Sequence, residues 1–384
     1  MDARGCRWGR GAQRSRYSFS RTLIWKRIVF RRNEFLEAES FRILLPDGIL
    51  FYICGVLSTM MLRRFCIAVL VVFLAGCGTP HSGKNDGFQV AVLKGPSAIS
   101  MIKMVDEGFS YQGRQADFRI YNEPDQVKAM MIRKQAGIVL LPANMAAVLY
   151  NKGVPDYLLA AVPVWGSLYL AGTDTSVHSV DNLRGKTVYL MARGATPDIV
   201  FRFILKAHRI DPENDLRLDY TFNGHFELAS AVAAGRAPMG VISEPFVSLS
   251  SSKNPDIKVL IDLEKEWDRV NADSVPMVQT AVMINRNFLE KNRELVKEFF
   301  RNYGEAISWL GDHQHEAARL IVKHDIVPDE EVAYESLRRI HIRFAYAREE
   351  RTKIDRYWQI LFTFNPDAVG GRLPDERFYA EIDR

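Results

Sequence analysis

Asn182-Leu183-Arg184-Gly185-Lys186-Thr187-Val188-Tyr189 runs into Gly194-Ala195-Thr196-Pro197, and the stretch closes on Met239-Gly240-Val241-Ile242-Ser243-Glu244-Pro245-Phe246. Residues 186–191 form a short apolar strand. Gly194-Ala195-Thr196-Pro197-Asp198 opens a helix that runs to about His208. Thr196 suits the cap and Pro197 the first helical position, where its missing N–H costs nothing. Residues 217–221 read as a strand, 227–234 as a helix and 239–242 as a strand; Glu244-Pro245-Phe246 begins a further helix. Strand followed by helix, repeated, implies a parallel sheet with helices on both faces.

The same alternation occurs upstream. Residues 88–93 are a strand, and Lys94-Gly95-Pro96-Ser97 is a turn with a capping residue. Ala98, Ile99, Met101, Ile102 and Val105 then fall at helical spacing. Strands are predicted at 117–121 and 137–141, with a helix at 124–134 between them. Pro142-Ala143-Asn144 opens another helix to Tyr150, and 158–165 and 168–171 read as strands. Beyond the quoted stretch, 257–263 and 280–284 are predicted strands. From Arg286 the chain reads as mainly helical, through Trp309, Leu320 and Leu337. The fold class is α/β.

Taken in order, Leu183-x-Gly185-Lys186, the Gly-Ala-Thr loop, Ala233-Ala234-Gly235 and the late Glu244-Pro245 resemble the second lobe of a known family. It is that of the substrate-binding proteins of nitrate/sulfonate/taurine-type ABC transporters, which also resembles thiamine-pyrimidine-precursor binders. The resemblance covers about 88–300 and, more loosely, the C-terminal helices. The chain departs from the pattern at Ala237-Pro238-Met239, where an acidic residue is usual, and at Ser243, where an aromatic is common. The resemblance implies a type II periplasmic-binding-protein fold, two α/β lobes closing over a ligand. Lobe one would comprise 88–173 plus 281–384, and lobe two 174–280. It also implies a monomeric solute receptor serving an ABC permease and ATPase, with no catalysis and no cofactor. The cargo would be a sulfonate, a nitrate-like anion or a pyrimidine-like compound. An enzyme on the same fold, of menaquinone- or pyrimidine-biosynthesis type, is the alternative, as is a surface lipoprotein that scavenges or senses.

In open α/β sheets ligands sit beyond the carboxyl ends of strands. Three helix-opening loops lie there: Gly95-Pro96-Ser97, Pro142-Ala143-Asn144 and Gly194-Ala195-Thr196. Each offers backbone N–H groups and a hydroxyl or amide, and glycine lets a ligand approach closely. The expected ligand-binding residues are Gly95, Ser97, Pro142, Asn144, Trp165, Gly194, Thr196 and Glu244. Trp165 stacks on a ligand ring or fills the core. Glu244 accepts from a ligand N–H or serves its own helix's first turn. Both pairs of readings stay open. Arg193 is a candidate partner for an anionic ligand, and Phe344 and Tyr346 are candidates for one edge of the cleft, with helix packing as their default. The eight histidines are scattered, so no metal site is expected.

Ahead of this lies a different kind of sequence. Arg63 and Arg64 precede the apolar run 65–75, which ends in Leu74-Ala75-Gly76-Cys77 and a polar linker. The order looks like a bacterial lipoprotein signal, with residues 60–76 as signal peptide, Cys77 as the lipidated residue and 77–87 as linker. The resemblance implies a protein on the outer side of a bacterial membrane, held by lipid. Residues 1–59 fit no such plan and are expected to be a gene-model extension, with translation starting at Met60 or Met61. The leader also accounts for the basic balance. The chain has 51 Lys+Arg and 46 Asp+Glu, but 13 and 5 of these lie in residues 1–76, so the remainder has a net charge of −3. Nothing in that charge suggests nucleic-acid binding. No cysteine follows Cys77, which excludes disulfides and cysteine-based catalysis from the rest of the chain.

Overall fold

The computed structural model describes residues 87–382 apart from 192, 223 and 272–274. Cys77, the signal peptide and residues 1–59 lie outside the described residues. Two sheets form the framework. The first has seven strands in the order β12-β5-β11-β4-β1-β3-β2. They are β1 (Phe88–Leu93), β2 (Ser110–Tyr111), β3 (Arg114–Tyr121), β4 (Ile138–Pro142), β5 (Tyr157–Trp165), β11 (Val278–Asn285) and β12 (Ile342–Tyr346). The second has five, in the order β10-β6-β9-β7-β8. They are β6 (Leu168–Gly172), β7 (Thr187–Tyr189), β8 (Arg217–Asp219), β9 (Met239–Ser243) and β10 (Lys258–Asp262). Strands joined through helices pair in parallel, β1 with β3 and β4, and β7 with β8 and β9. Strands at the crossovers pair antiparallel, as β5 and β11 do. All nine residues of β5 are buried, as a strand covered on both faces requires.

The helices of the first lobe are α1 (Pro96–Ser100), α2 (Ile102–Glu107), α3 (Pro124–Ile132) and α4 (Ala143–Lys152). Those of the second are α5 (Thr196–Ala207), α6 (His225–Ala233), α7 (Phe246–Lys253) and α8 (Leu263–Val270). The chain enters the second sheet between Trp165 and Leu168, where Gly166 and Ser167 both take positive φ (73° and 65°). It returns just before β11. The two crossings lie side by side, since Gly166 N–H donates to the Met277 carbonyl at 2.9 Å. Leu168–Gly172 was expected on the first-lobe side of a boundary at 173. It pairs instead with β9 and β10 in the second sheet.

The C-terminal part contains α9 (Arg286–Lys291), α10 (Arg293–Asp312), α11 (Gln314–Lys323), α12 (Glu330–Leu337) and α13 (Arg351–Phe364). It serves both lobes. Strand β12 joins the edge of the first sheet through β5. Helix α12 packs on α7, and α13 lies against α5. Phe364 meets Phe203 edge-on, and Tyr357 packs on Trp267.

Candidate functional site

The carboxyl ends of β1 and β4 in one lobe face those of β7 and β9 in the other, and the helix-opening loops meet there. Gly95 is the N-cap of α1 with φ 113°. A Cβ at this position would come 3.3 Å from the Phe246 ring, the first residue of α7 in the opposite lobe. Glycine therefore permits both the backbone conformation and the approach of the second lobe. Ser97 and Thr196 are not caps. Each lies inside its helix, after Gly95 and Ala195 respectively. The Ser97 hydroxyl pairs with Thr280 Oγ1 at 3.2 Å, tying α1 to β11.

Pro142 ends β4 and is the N-cap of α4, which brings buried Asn144 to the lobe boundary. There Thr196 Oγ1 donates to Asn144 Oδ1 at 2.7 Å, and Asn144 Nδ2 donates to the Gly194 carbonyl at 2.6 Å. The second-lobe loop is braced from behind. Gly194 N–H donates to Asp198 at 2.8 Å, and Asp198 also accepts from Arg202 and Tyr220. Burial, then the Asp198 carboxylate, holds the Tyr220 hydroxyl well above its ordinary range. Arg193 lies over the Tyr220 ring at 4.4 Å. Outside the Asn144–Gly194 contact is a cavity of about 520 Å³ between the lobes. Its lining includes Glu123, Asp125, Lys128 and Arg193. Burial and the neighbouring Glu227 and Asp125 push the Glu123 carboxyl up.

Glu244 and Trp165 are both engaged by partners within the chain. Glu244, joined to Pro245 by a cis peptide, is fully buried. It accepts from Ser248 N–H at 3.0 Å and from Arg339 at 3.1 Å. It therefore serves its own helix and the C-terminal segment. Burial raises its pKa against the effect of those partners. Trp165 donates its Nε1–H to the Arg343 carbonyl at 2.9 Å, and the Arg343 guanidinium covers its ring at 4.4 Å. Phe344 and Tyr346 lie on β12, not on a helix, and pack with Phe300.

Sequence reasoning passed over four residues of this region. Phe246 faces Gly95. His225, first in α6, stacks flat on Phe246, with ring centroids 5.2 Å apart and planes within 2°. Thr280 holds Ser97. Arg339 holds Glu244. The only local signal was Gly224-His225 following β8, a helix opening like the other three. Among the described residues no group of three or more His, Cys, Asp or Glu side chains is arranged to hold a metal ion. No described helix is long and apolar enough to cross a membrane.

Comparison with known proteins agrees with this architecture. The crystal structure of an ABC transporter protein from Parabacteroides distasonis superposes with a TM-score of 0.66 and 28% identity, covering 77% of this chain and 99% of that one. The periplasmic aliphatic sulphonate binding protein SsuA of Escherichia coli superposes with a TM-score of 0.60 at 14% identity, over 76% and 96% of the two chains. The type II periplasmic-binding fold expected from the sequence is thus the fold observed. In sequence, the Bacillus subtilis (strain 168) protein named as binding protein YtlA is 22% identical over 278 residues, 71% of this chain and 80% of that protein. Residues 105–331 match the family model described as "ABC transporter, phosphonate, periplasmic substrate-binding protein". That match spans more than half of the sequence, and the chain belongs to this family of periplasmic substrate-binding proteins of ABC transporters.

Proposed function

We propose that the protein captures a small polar or anionic solute between its two lobes and presents it to an ABC permease and ATPase, without making or breaking a bond. The observation that carries this reading is the direct hydrogen-bond exchange between Asn144 and the Gly194–Thr196 loop. Groups able to bridge the lobes are already aligned across the boundary. A solute that bridges them as well stabilises the closed arrangement by its differential affinity for it. Gly95, Ser97, Pro142, Asn144, Gly194 and Thr196 are the proposed contact set. The lobes divide near Gly166 and again before β11. The cargo class remains a sulfonate, a nitrate-like anion or a pyrimidine-like compound. Cleavage before Cys77 and lipid on that cysteine would hold the receptor, as a monomer, on the outer side of the membrane.

The test is equilibrium binding followed by recovery of the compound. A solute that binds, compacts the protein in small-angle scattering and is recovered unchanged supports the reading. A solute that is consumed refutes it.

A further inference from the structure

Three segments of the described chain pass between the lobes, and they meet at one point. The first is Gly166-Ser167, between β5 and β6. The second reaches β11 through Met277, whose carbonyl accepts from Gly166 N–H. The third is the connection from α12 to β12, and it is held on both sides. Arg339 is tied to the second lobe. Its guanidinium bonds Glu244 and Ser248, and its carbonyl accepts from the Tyr169 hydroxyl at 3.0 Å. His341 is tied to the end of β5 and the crossing beyond it. Its carbonyl accepts from Trp165 N–H at 3.0 Å, and its N–H donates to Ser167 Oγ at 2.8 Å. The connection therefore changes lobes between these two residues.

A single carboxylate clasps this point. Glu264 lies in the first turn of α8, in the second lobe. One of its oxygens accepts from Ser167 N–H at 3.2 Å, and the other lies 2.8 Å from His341 Nδ1. The carboxyl group sits so close to the crossing that a Cβ at Gly166 would be 2.0 Å from its carbon, and any side chain there would displace it. Ser167 is fully buried. The Glu264 side chain is 18% exposed and that of His341 63%. The imidazole can thus exchange its proton with solvent while the carboxylate stays inside the joint.

The groups around the imidazole are acidic. Besides Glu264, Asp268 lies one turn along α8; burial and Asp262 push its carboxyl up, and His341 works against both. The cations flanking His341 in sequence are engaged elsewhere, Arg339 by Glu244 and Arg343 by Glu350 and the Trp165 ring. An imidazole gains its charge as pH falls from about 8 to 5. A charged donor bonds a carboxylate about twice as strongly as a neutral one. Rotation of the second lobe about Gly166-Ser167 carries α8 relative to β12, so the contact depends on the angle between the lobes.

We propose that Glu264 and His341 form a proton-sensitive clasp at the hinge, which favours the closed arrangement as the medium turns mildly acidic. This rests on the receptor reading above and adds a control of closure to it. A partly exposed pair of this kind shifts the closed-to-open ratio by roughly two- to fivefold.

Hydrogen–deuterium exchange of the full chain without solute, at pH 7.5 and 5.5, tests the clasp. Peptides covering 143–149 and 194–201 report opening of the lobe boundary, and peptides from β5 and β11 report the intact fold. Once the intrinsic pH dependence of exchange is divided out, boundary protection should rise about two- to fivefold at pH 5.5, with β5 and β11 unchanged. His341→Gln should abolish the rise. Glu264→Gln, which keeps an acceptor for Ser167 N–H, should abolish it as well. The Glu123 and Glu244 carboxyls, both raised, also border the lobes, and any pH effect of theirs survives in His341→Gln. No rise in the unmodified chain overturns the inference, as does a rise that persists undiminished in either folded variant. Both results leave the receptor reading to the solute-binding test above, which does not depend on the clasp.

Discussion

Thr196 and Asn144 lie on different lobes, 52 positions apart, and the hydroxyl of the first donates to the side-chain carbonyl of the second at 2.7 Å. Asn144 returns a hydrogen bond to the Gly194 carbonyl at 2.6 Å. The lobes are thus latched directly, through the helix openings expected to hold the solute. Each such bond contributes about 0.5–1.5 kcal/mol net. The pair biases closure and leaves it reversible.

Asn144→Ala with Thr196→Val removes the latch. Affinity for any captured solute should fall by roughly 5- to 50-fold, from one to two such bonds. Small-angle scattering of the unliganded variant should show a larger radius of gyration. An unchanged radius and unchanged affinity would show that the latch plays no part in closure.

Arg339→Met strips the buried Glu244 carboxylate of its cation. Leaving an unpaired buried charge costs roughly 3 kcal/mol, the low end for such pairs, because the Arg339 side chain is 40% exposed. The sign with pH follows from Glu244's raised pKa. A group that holds its proton more tightly when folded contributes most to stability below its unfolded pKa, and that contribution is lost as pH rises through the folded value. Removing Arg339 raises the folded pKa further. The Tm deficit of the variant should therefore be smallest in acid, where Glu244 is protonated in both proteins, and widen as pH rises through the folded pKa, which lies above the ordinary value. Glu244→Gln combined with Arg339→Met should recover most of the loss. A deficit that stays flat with pH would contradict this.

Gly172→Ala and Gly95→Ala separate packing from closure. A Cβ at 172 would lie 2.3 Å from the Pro238 carbonyl oxygen, where β6 pairs with β9, and only backbone movement can relieve it. A loss of about 3 kcal/mol or more is expected, read by urea unfolding. At 95 the neighbour is a side chain at 3.3 Å and the strain is local, from φ 113°. A loss of about 1–2 kcal/mol is expected there, with a larger effect on solute affinity than on Tm. Equal losses at the two positions would place Gly95 in the same packing role as Gly172.

If Cys77 carries lipid, the native protein should sediment with membranes and its N-terminal peptide should show acyl mass. Cys77→Ser should be recovered in the soluble fraction. N-terminal peptides from residues 1–59 in native cells would overturn the proposed start at Met60 or Met61.

The alternation of strands and helices, the helix openings and the family were legible because each is written in local residue order. What was missed depends on partners far away in sequence. Glu244 read equally well as a ligand acceptor and as a residue of its own helix's first turn, and its partner Arg339, 95 positions on, could not be seen from local order. Thr196 and Ser97 read as caps by local rules, yet their hydroxyls bond Asn144 and Thr280, the latter 183 positions from Ser97. Ile342, Phe344 and Tyr346 alternate as a strand should. The run is short and lies within helical sequence, so only pairing with β5 defines it as β12. The first lobe boundary was placed beyond Gly172 because two consecutive apolar runs looked like neighbours. The positive φ at Gly166 and Ser167 sends the second run into the other sheet.

The most direct test of the central claim is a thermal-shift titration of the purified chain against small sulfonates, phosphonates, nitrate, heterocycles and amino acids, with the bound compound then recovered and identified. At about 100 times its dissociation constant a true cargo should add about 2.7 kcal/mol of stability. The account expects such a compound, returned chemically intact. A compound that is bound and returned altered, or a panel in which nothing stabilises the protein, would contradict it.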